Sequence, residues 1–103
     1  MKNKIFNEAV KLIATIPYVS DVQRVGKYIT TNIIEFSHNG NHYYVEVTQD
    51  EKLNPSGRGQ YLHTRVHVIG SKFDNGIAFF QDYSDSEWAT LIRDCVIKSL
   101  KDQ

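Results

Sequence analysis

The sequence predicts an α+β domain. Its architecture is a two-layer sandwich: an antiparallel sheet of four strands, with a candidate fifth, carrying an N-terminal and a C-terminal helix on one face. Three observations predict it. A stretch near each end places apolar residues at helical spacing. The stretches between them alternate apolar and polar residues. Asn39-Gly40 separates two of these alternating runs. Asn-Gly there suits a two-residue type I′ turn, because both turn positions need positive φ. The chain of 103 residues reads as a single domain, 1–103, since a second core would not fit.

The first helix follows from spacing. At about 100° per residue, Ile5, Ala9, Leu12, Ile13 and Ile16 share one arc, flanked by Phe6 and Val10. Lys4, Glu8 and Lys11 lie opposite. Pro17 is expected to end the helix, because proline disfavours helix in the residue before it. Asn7, Glu8 and Lys11 interrupt any continuous apolar core, and no small-residue cleavage site follows, so the segment is not read as a signal peptide. A retained helix and a single Cys lead to the expectation of a cytoplasmic protein.

Pro17–Asp21 reads as a turn, and Val22–Val25 as the candidate extra strand, broken off by Gly26. Tyr28–His38 and Asn41–Gln49 are the two arms of the Asn39-Gly40 hairpin. The turn sets the register, and the register sorts the side chains. Ile34 and Phe36 fall on one face with Tyr43, Val45 and Val47. Thr31, Glu35 and Ser37 fall on the other with His42, Tyr44, Glu46 and Thr48. One dry and one wet face suit an antiparallel sheet covered on one side. Ile29 and Ile33 fall on the wet face by parity.

Asp50–Gln60 reads as a long polar loop, and Tyr61–Ile69 as the third main strand. Leu62, Thr64, Val66 and Val68 face the core by parity, and Tyr61, His63, Arg65, His67 and Ile69 face out. Asp74-Asn75-Gly76 reads as a second turn, leading into a strand at Ile77–Asp82. Ser84 and Glu87 have capping-box spacing, and an acidic first turn suits the helix dipole. Trp88, Ile92, Cys95, Val96 and Ser99 share the buried arc of the helix that follows, with Lys98 and Lys101 in its last turns.

Composition narrows the function. Lys+Arg and Asp+Glu are both 12, giving zero formal net charge, which disfavours binding to nucleic acid or anionic membrane by bulk electrostatics. One Cys excludes an intrachain disulfide and a Cys-rich zinc site. No apolar run is long enough to span a membrane. His63 and His67 stand four apart on one strand, roughly 13 Å of rise, too far to share a metal. No cofactor, metal ligand or catalytic residue is assigned. Cys95 lies on the apolar arc of its helix, as a buried, inert thiol would.

The helix–strands–helix order resembles the double-stranded-RNA-binding domain. That family uses a basic N-terminus on its second helix, where this chain has Ser84-Asp85-Ser86-Glu87. The order and size are also similar to frataxin-type domains, whose first helix carries an acidic ridge. Here that helix has Lys4 and Lys11 with only Glu8. Both resemblances concern architecture, which does not carry function with it.

The expected function is that of a small, non-enzymatic protein–protein interaction module. It would block or modulate a partner protein, in the manner of inhibitors, immunity proteins and counter-defence proteins of phages or mobile elements. Its expected contact residues are Tyr44, Tyr61, His63, Arg65 and His67 on the wet face, with Arg58 in the long loop. Tyr and Arg are favoured interface residues. The alternative is a nucleic-acid-binding module using the same face, with bases stacked on its aromatics. A small hydrolase using the histidines is a third reading. Edge strands without obvious protecting charges leave homodimerisation open, and no membrane partner is expected.

Overall fold

A computed structural model of the chain describes residues 1–25, 32–53, 57 and 59–103, and of residues 51–53, 60 and 61 the backbone alone. Its elements are α1 (Asn3–Ile13), β1 (Val19–Arg24), β2 (Ile33–His38), β3 (Asn41–Leu53), β4 (Gln60–Gly70), β5 (Phe73–Phe79) and α2 (Asp85–Lys101). The strands form one antiparallel meander in the order β1-β2-β3-β4-β5. The α+β sandwich with terminal helices is therefore as expected, and the candidate extra strand is real.

The register starts at the Asn39-Gly40 turn, where φ is 51° and 80°. His38 pairs with Asn41 and Phe36 with Tyr43. This pairing drives Ile34, Phe36, Tyr43, Val45 and Val47 to the covered face, where all are buried. β4 continues the pattern with Thr64, Val66 and Val68. Ile5, Phe6, Ala9 and Ile13 of α1 and Trp88, Ala89, Ile92, Cys95 and Val96 of α2 close over them. Each Val, Ile and Phe side chain among them contributes about 1.5–3 kcal/mol on burial. Two buried hydroxyls have partners. Thr64 Oγ1 accepts from Gln49 Nε2 at 3.0 Å, and Ser99 Oγ accepts from Asn75 Nδ2 at 3.0 Å. Cys95 is buried, and desolvation, with Asp94 beside it, pushes its thiol up to about 11. At neutral pH it is a protonated packing group.

The helix ends follow local chemistry. α1 stops at Ile13, a turn before Pro17. Ile16 N–H donates back to the Ile13 carbonyl, tightening the chain, while Thr15 Oγ1 donates to the Leu12 carbonyl at 2.6 Å. α2 opens with the N-cap half of the expected capping box, in which Ser84 Oγ accepts from Glu87 N–H at 3.3 Å. The Glu87 carboxylate bonds the Ser84 hydroxyl, which donates to it at 2.7 Å.

Three sequence expectations change. First, Val19 and Ser20 belong to β1 rather than to a turn, because they pair with His38 and Ser37. A bulge between Ser20 and Gln23, with Asp21 at φ 55°, then shifts the register. Second, the loop expected over Asp50–Gln60 is strand at Asp50–Leu53 and at Gln60, since β3 and β4 stay paired from Asp50↔His63 to Leu53↔Gln60, while residues 54–56 and 58 lie outside the described residues. Third, Asp74-Asn75-Gly76 lies inside β5, and the chain turns at Ser71-Lys72 instead. The hairpin arm expected from Tyr28 is strand from Ile33; residues 28–31 lie outside the described residues, as does the expected strand break at Gly26.

α1 and α2 run side by side with their N-termini together. Lys4 Nζ lies 2.7 Å and Lys2 Nζ 3.6 Å from Asp85 Oδ2. The hydrogen bond from Lys4, with the charge of Lys2 beside it, holds the Asp85 carboxyl below its ordinary value. A carboxyl depressed by folding stabilises the native state above the unfolded aspartate pKa of about 3.9, and that contribution fades as pH falls through the lower folded value. Asp85→Asn should therefore reduce the acid-side slope of unfolding free energy below about pH 4. An unchanged urea-midpoint profile across pH 2–5, within the aspartate range of about 3.9, would show the pair to be inert.

Candidate functional site

The sheet face opposite the helices has no element over it among the described residues. Side-chain alternation along β2–β5 and the strand register lay it out in rows. One row is Glu35, Tyr44, Ile69 and Asp74. The next is Ile33, Glu46, His67 and Gly76, and then Thr48, Arg65 and Ala78. Asp50 pairs with His63. Phe80 follows just beyond β5 and sets its ring 5.1 Å from that of His63.

Gly76 organises the centre of this face. A Cβ built on it would stand 3.0 Å from His67 Cε1, 3.2 Å from His67 Nδ1 and 3.4 Å from Arg65 Nη2. The missing side chain is the space into which the His67 ring folds. His67 Nδ1 then lies 3.0 Å from Asp74 Oδ1. That bond favours Nδ1–H as donor in the neutral ring and leaves Nε2 as the free acceptor. A second imidazole–carboxylate pair lies on the β2–β3 hairpin. His42 Nε2 is 3.5 Å from Glu35 Oε2, and Gln23 Nε2 of β1 donates to the other oxygen of that carboxylate. The His42 ring meets Tyr44 edge-on at 4.7 Å.

The expected contact residues divide as follows. Tyr44 stands on the open face, 39% exposed. Arg65 is exposed there and His67 is half-buried, and the two meet over Gly76. His63 is half-buried under Phe80, with a buried Nδ1 that has no hydrogen-bond partner among the described residues. Tyr61 pairs with Lys52 in the ladder, at the far end of β4 from His67. Arg58 lies outside the described residues.

Comparison with protein-family models, with curated proteins and with solved structures finds no match to this chain. The face must be read from its own chemistry.

Its described charges are unbalanced, unlike those of the whole chain. Glu35, Glu46, Asp50 and Asp74 stand there against Arg65. Those described charges place an acidic field over the centre of the face. No group of three or more His, Cys, Asp or Glu among the described residues could hold a metal ion. Among the described residues, no helix is long and apolar enough to cross a membrane.

Sequence reasoning missed three contributors. Asp74 and Gly76 read as a turn in the sequence, which hides their place beside His67. Phe80, 61% exposed, reads in the sequence only as part of a strand. Its parity with Ala78 already pointed it outward.

Proposed function

We propose that this chain is a non-enzymatic binding module that docks a partner protein on the open face of its sheet, blocking or modulating that partner. Inhibitors, immunity proteins and counter-defence proteins work in this way. The observation that carries the reading is the make-up of that face. Among the described residues, an uncovered sheet surface presents Tyr44, Arg65 and Phe80 around two imidazole–carboxylate pairs, with carboxylates outnumbering cations. Exposed aromatics and Arg are the residue types that anchor protein interfaces. A surplus of carboxylates repels a phosphate backbone, which needs cations to displace its counterions. The partner surface that fits is a protein surface carrying Lys or Arg opposite Glu46 and Asp74.

The test is affinity capture from the source-cell lysate with and without nuclease, repeated with Tyr44→Ala and Arg65→Ala. The expected result is a stoichiometric protein that survives nuclease. Each substitution should weaken its binding by about tenfold or more, as for an interface anchor. Two results would overturn the reading. One is a captured protein that binds both variants as well as the parent. The other is recovery of nucleic acid alone, with affinity falling steeply as salt rises.

A further inference from the structure

The two edges of the sheet differ. β1 is blunted by its bulge, with Asp21 at positive φ, and such a kink disrupts further pairing. β5 has no such device. Its seven residues, Phe73 to Phe79, contain no proline and no Lys or Arg. Its one charge, Asp74, is held by His67 on the open face. One side of its backbone ladder bonds to β4, and among the described residues no strand lies on the other.

The helix layer is also unfinished there. α2 lies nearest β4. On the helix side of β5, Phe73, Ile77 and Phe79 are only half-buried, although they pack against the core. Tyr83 and Leu91 continue this apolar margin, lining a shallow hollow at the side of α2 with Ser86, Glu87 and Thr90. An unpaired strand edge bordered by half-buried apolar residues is the usual make-up of a strand-addition site.

We propose that the β5 edge pairs with the β5 edge of a second copy of this chain, antiparallel about a two-fold axis at Gly76. The strand is its own complement in that register. Gly76 is its midpoint, so all of Phe73–Phe79 pairs in full. Phe73 faces Phe79 of the other copy at both ends, on the helix side, where aromatic cross-strand pairs are favourable. Asp74 faces Ala78, and the two Asp74 carboxylates stand four positions apart, roughly 13 Å. Like charges therefore never oppose each other, and at the axis glycine meets glycine with no side chain between them. The interface is isologous, as a closed dimer requires. It leaves the open face uncovered and joins the two copies of it into one surface, so it is independent of what that face binds.

The experiment is light scattering after gel filtration of the full chain, from micromolar to submillimolar concentration. The expected mass is twice 11.9 kDa at the upper end. Ile77→Lys, which puts a charge on the half-buried margin, should weaken the dimer by about tenfold or more. Gln23→Lys at the β1 edge should leave it intact. Far-UV circular dichroism checks that each variant is folded. If Ile77→Lys does not fold, amide exchange of the parent chain decides: on dilution, protection should fall in residues 73–79 and not in 19–24. A parent chain that stays monomeric at every concentration overturns the proposal. So does a dimer that Ile77→Lys leaves intact, that Gln23→Lys dissociates, or whose dilution leaves β5 exchange unchanged, because each places the contact elsewhere. Pairing of β5 with a strand of a different protein would show as a monomeric parent chain, and so counts against the dimer.

Discussion

Trp88→Ala is expected to remove about 3–5 kcal/mol of unfolding free energy. Domains of ordinary size have about 5–15 kcal/mol in total, so the loss takes roughly a fifth or more of the margin. Three contacts set the size of the effect. The ring is buried, and it meets Tyr83 edge-on at 5.0 Å and Phe79 at 5.8 Å. Its Nε1–H donates to Asp82 Oδ1 at 3.1 Å, which fastens the segment between β5 and α2. Truncation opens a cavity under that segment and strips its anchor at once. Trp88→Phe separates the two losses, because it keeps an aromatic ring and removes the hydrogen bond, worth about 1 kcal/mol. Urea unfolding followed by far-UV circular dichroism measures both, since Trp88 is also the one tryptophan fluorophore. A Trp88→Ala cost under about 1 kcal/mol would mean that the aromatic cluster is not a rigid part of the core.

Gly70→Ala is the second large effect, and its cause is steric. A Cβ there would stand 2.8 Å from Tyr43 Cε1 and 3.0 Å from Cδ1. The Tyr43 ring has little room to retreat. It stacks on Phe36 at 5.4 Å, and its hydroxyl donates to Gln103 Oε1 at 2.7 Å. Overpacking of this kind costs about 1–3 kcal/mol. If the ring is the cause, the cost vanishes when the ring is gone. Tyr43→Ala alone should destabilise through the cavity it leaves, and adding Gly70→Ala to it should cost almost nothing further. The coupling measured in that double-mutant cycle should nearly equal the cost of Gly70→Ala alone. Additive costs would locate the strain in the backbone at Gly70 instead.

Much of this architecture was legible in the residues. Helical spacing placed both helix faces, and the buried arc of α2 from Trp88 to Ser99 is as its periodicity requires. Asn39-Gly40 fixed which side chains of β2 and β3 point inward, because a type I′ turn admits one register. What misled was residue type used for a purpose other than turning. Asp74, Asn75 and Gly76 form a turn-like triplet, yet each has a task in β5. Asp74 holds His67, Asn75 donates to Ser99, and Gly76 makes room for an imidazole. Those tasks depend on neighbours far along the chain, and local propensity carries no record of them. The same gap hid the strand pairing beyond Asp50. Polar residues there can extend a hairpin because its ladder bonds are made by backbone, whatever the side chains are. The candidate face was legible in outline through parity, whereas its acidic imbalance emerged in full once Asp50 and Asp74 joined it.

The side-by-side helices have a consequence for how the chain is made. α1 and α2 share one layer and touch along their lengths, yet the entire meander separates them in sequence. Every strand pairing is between neighbours, so the sheet can assemble as it is synthesised. Its apolar face cannot be closed until Trp88, Ile92 and Val96 have been added. A ribosome-bound chain that has reached β5 therefore carries a formed sheet with half its cover missing. Translation of α2 brings the surface that hides Val45, Val66 and Val68 from other nascent chains.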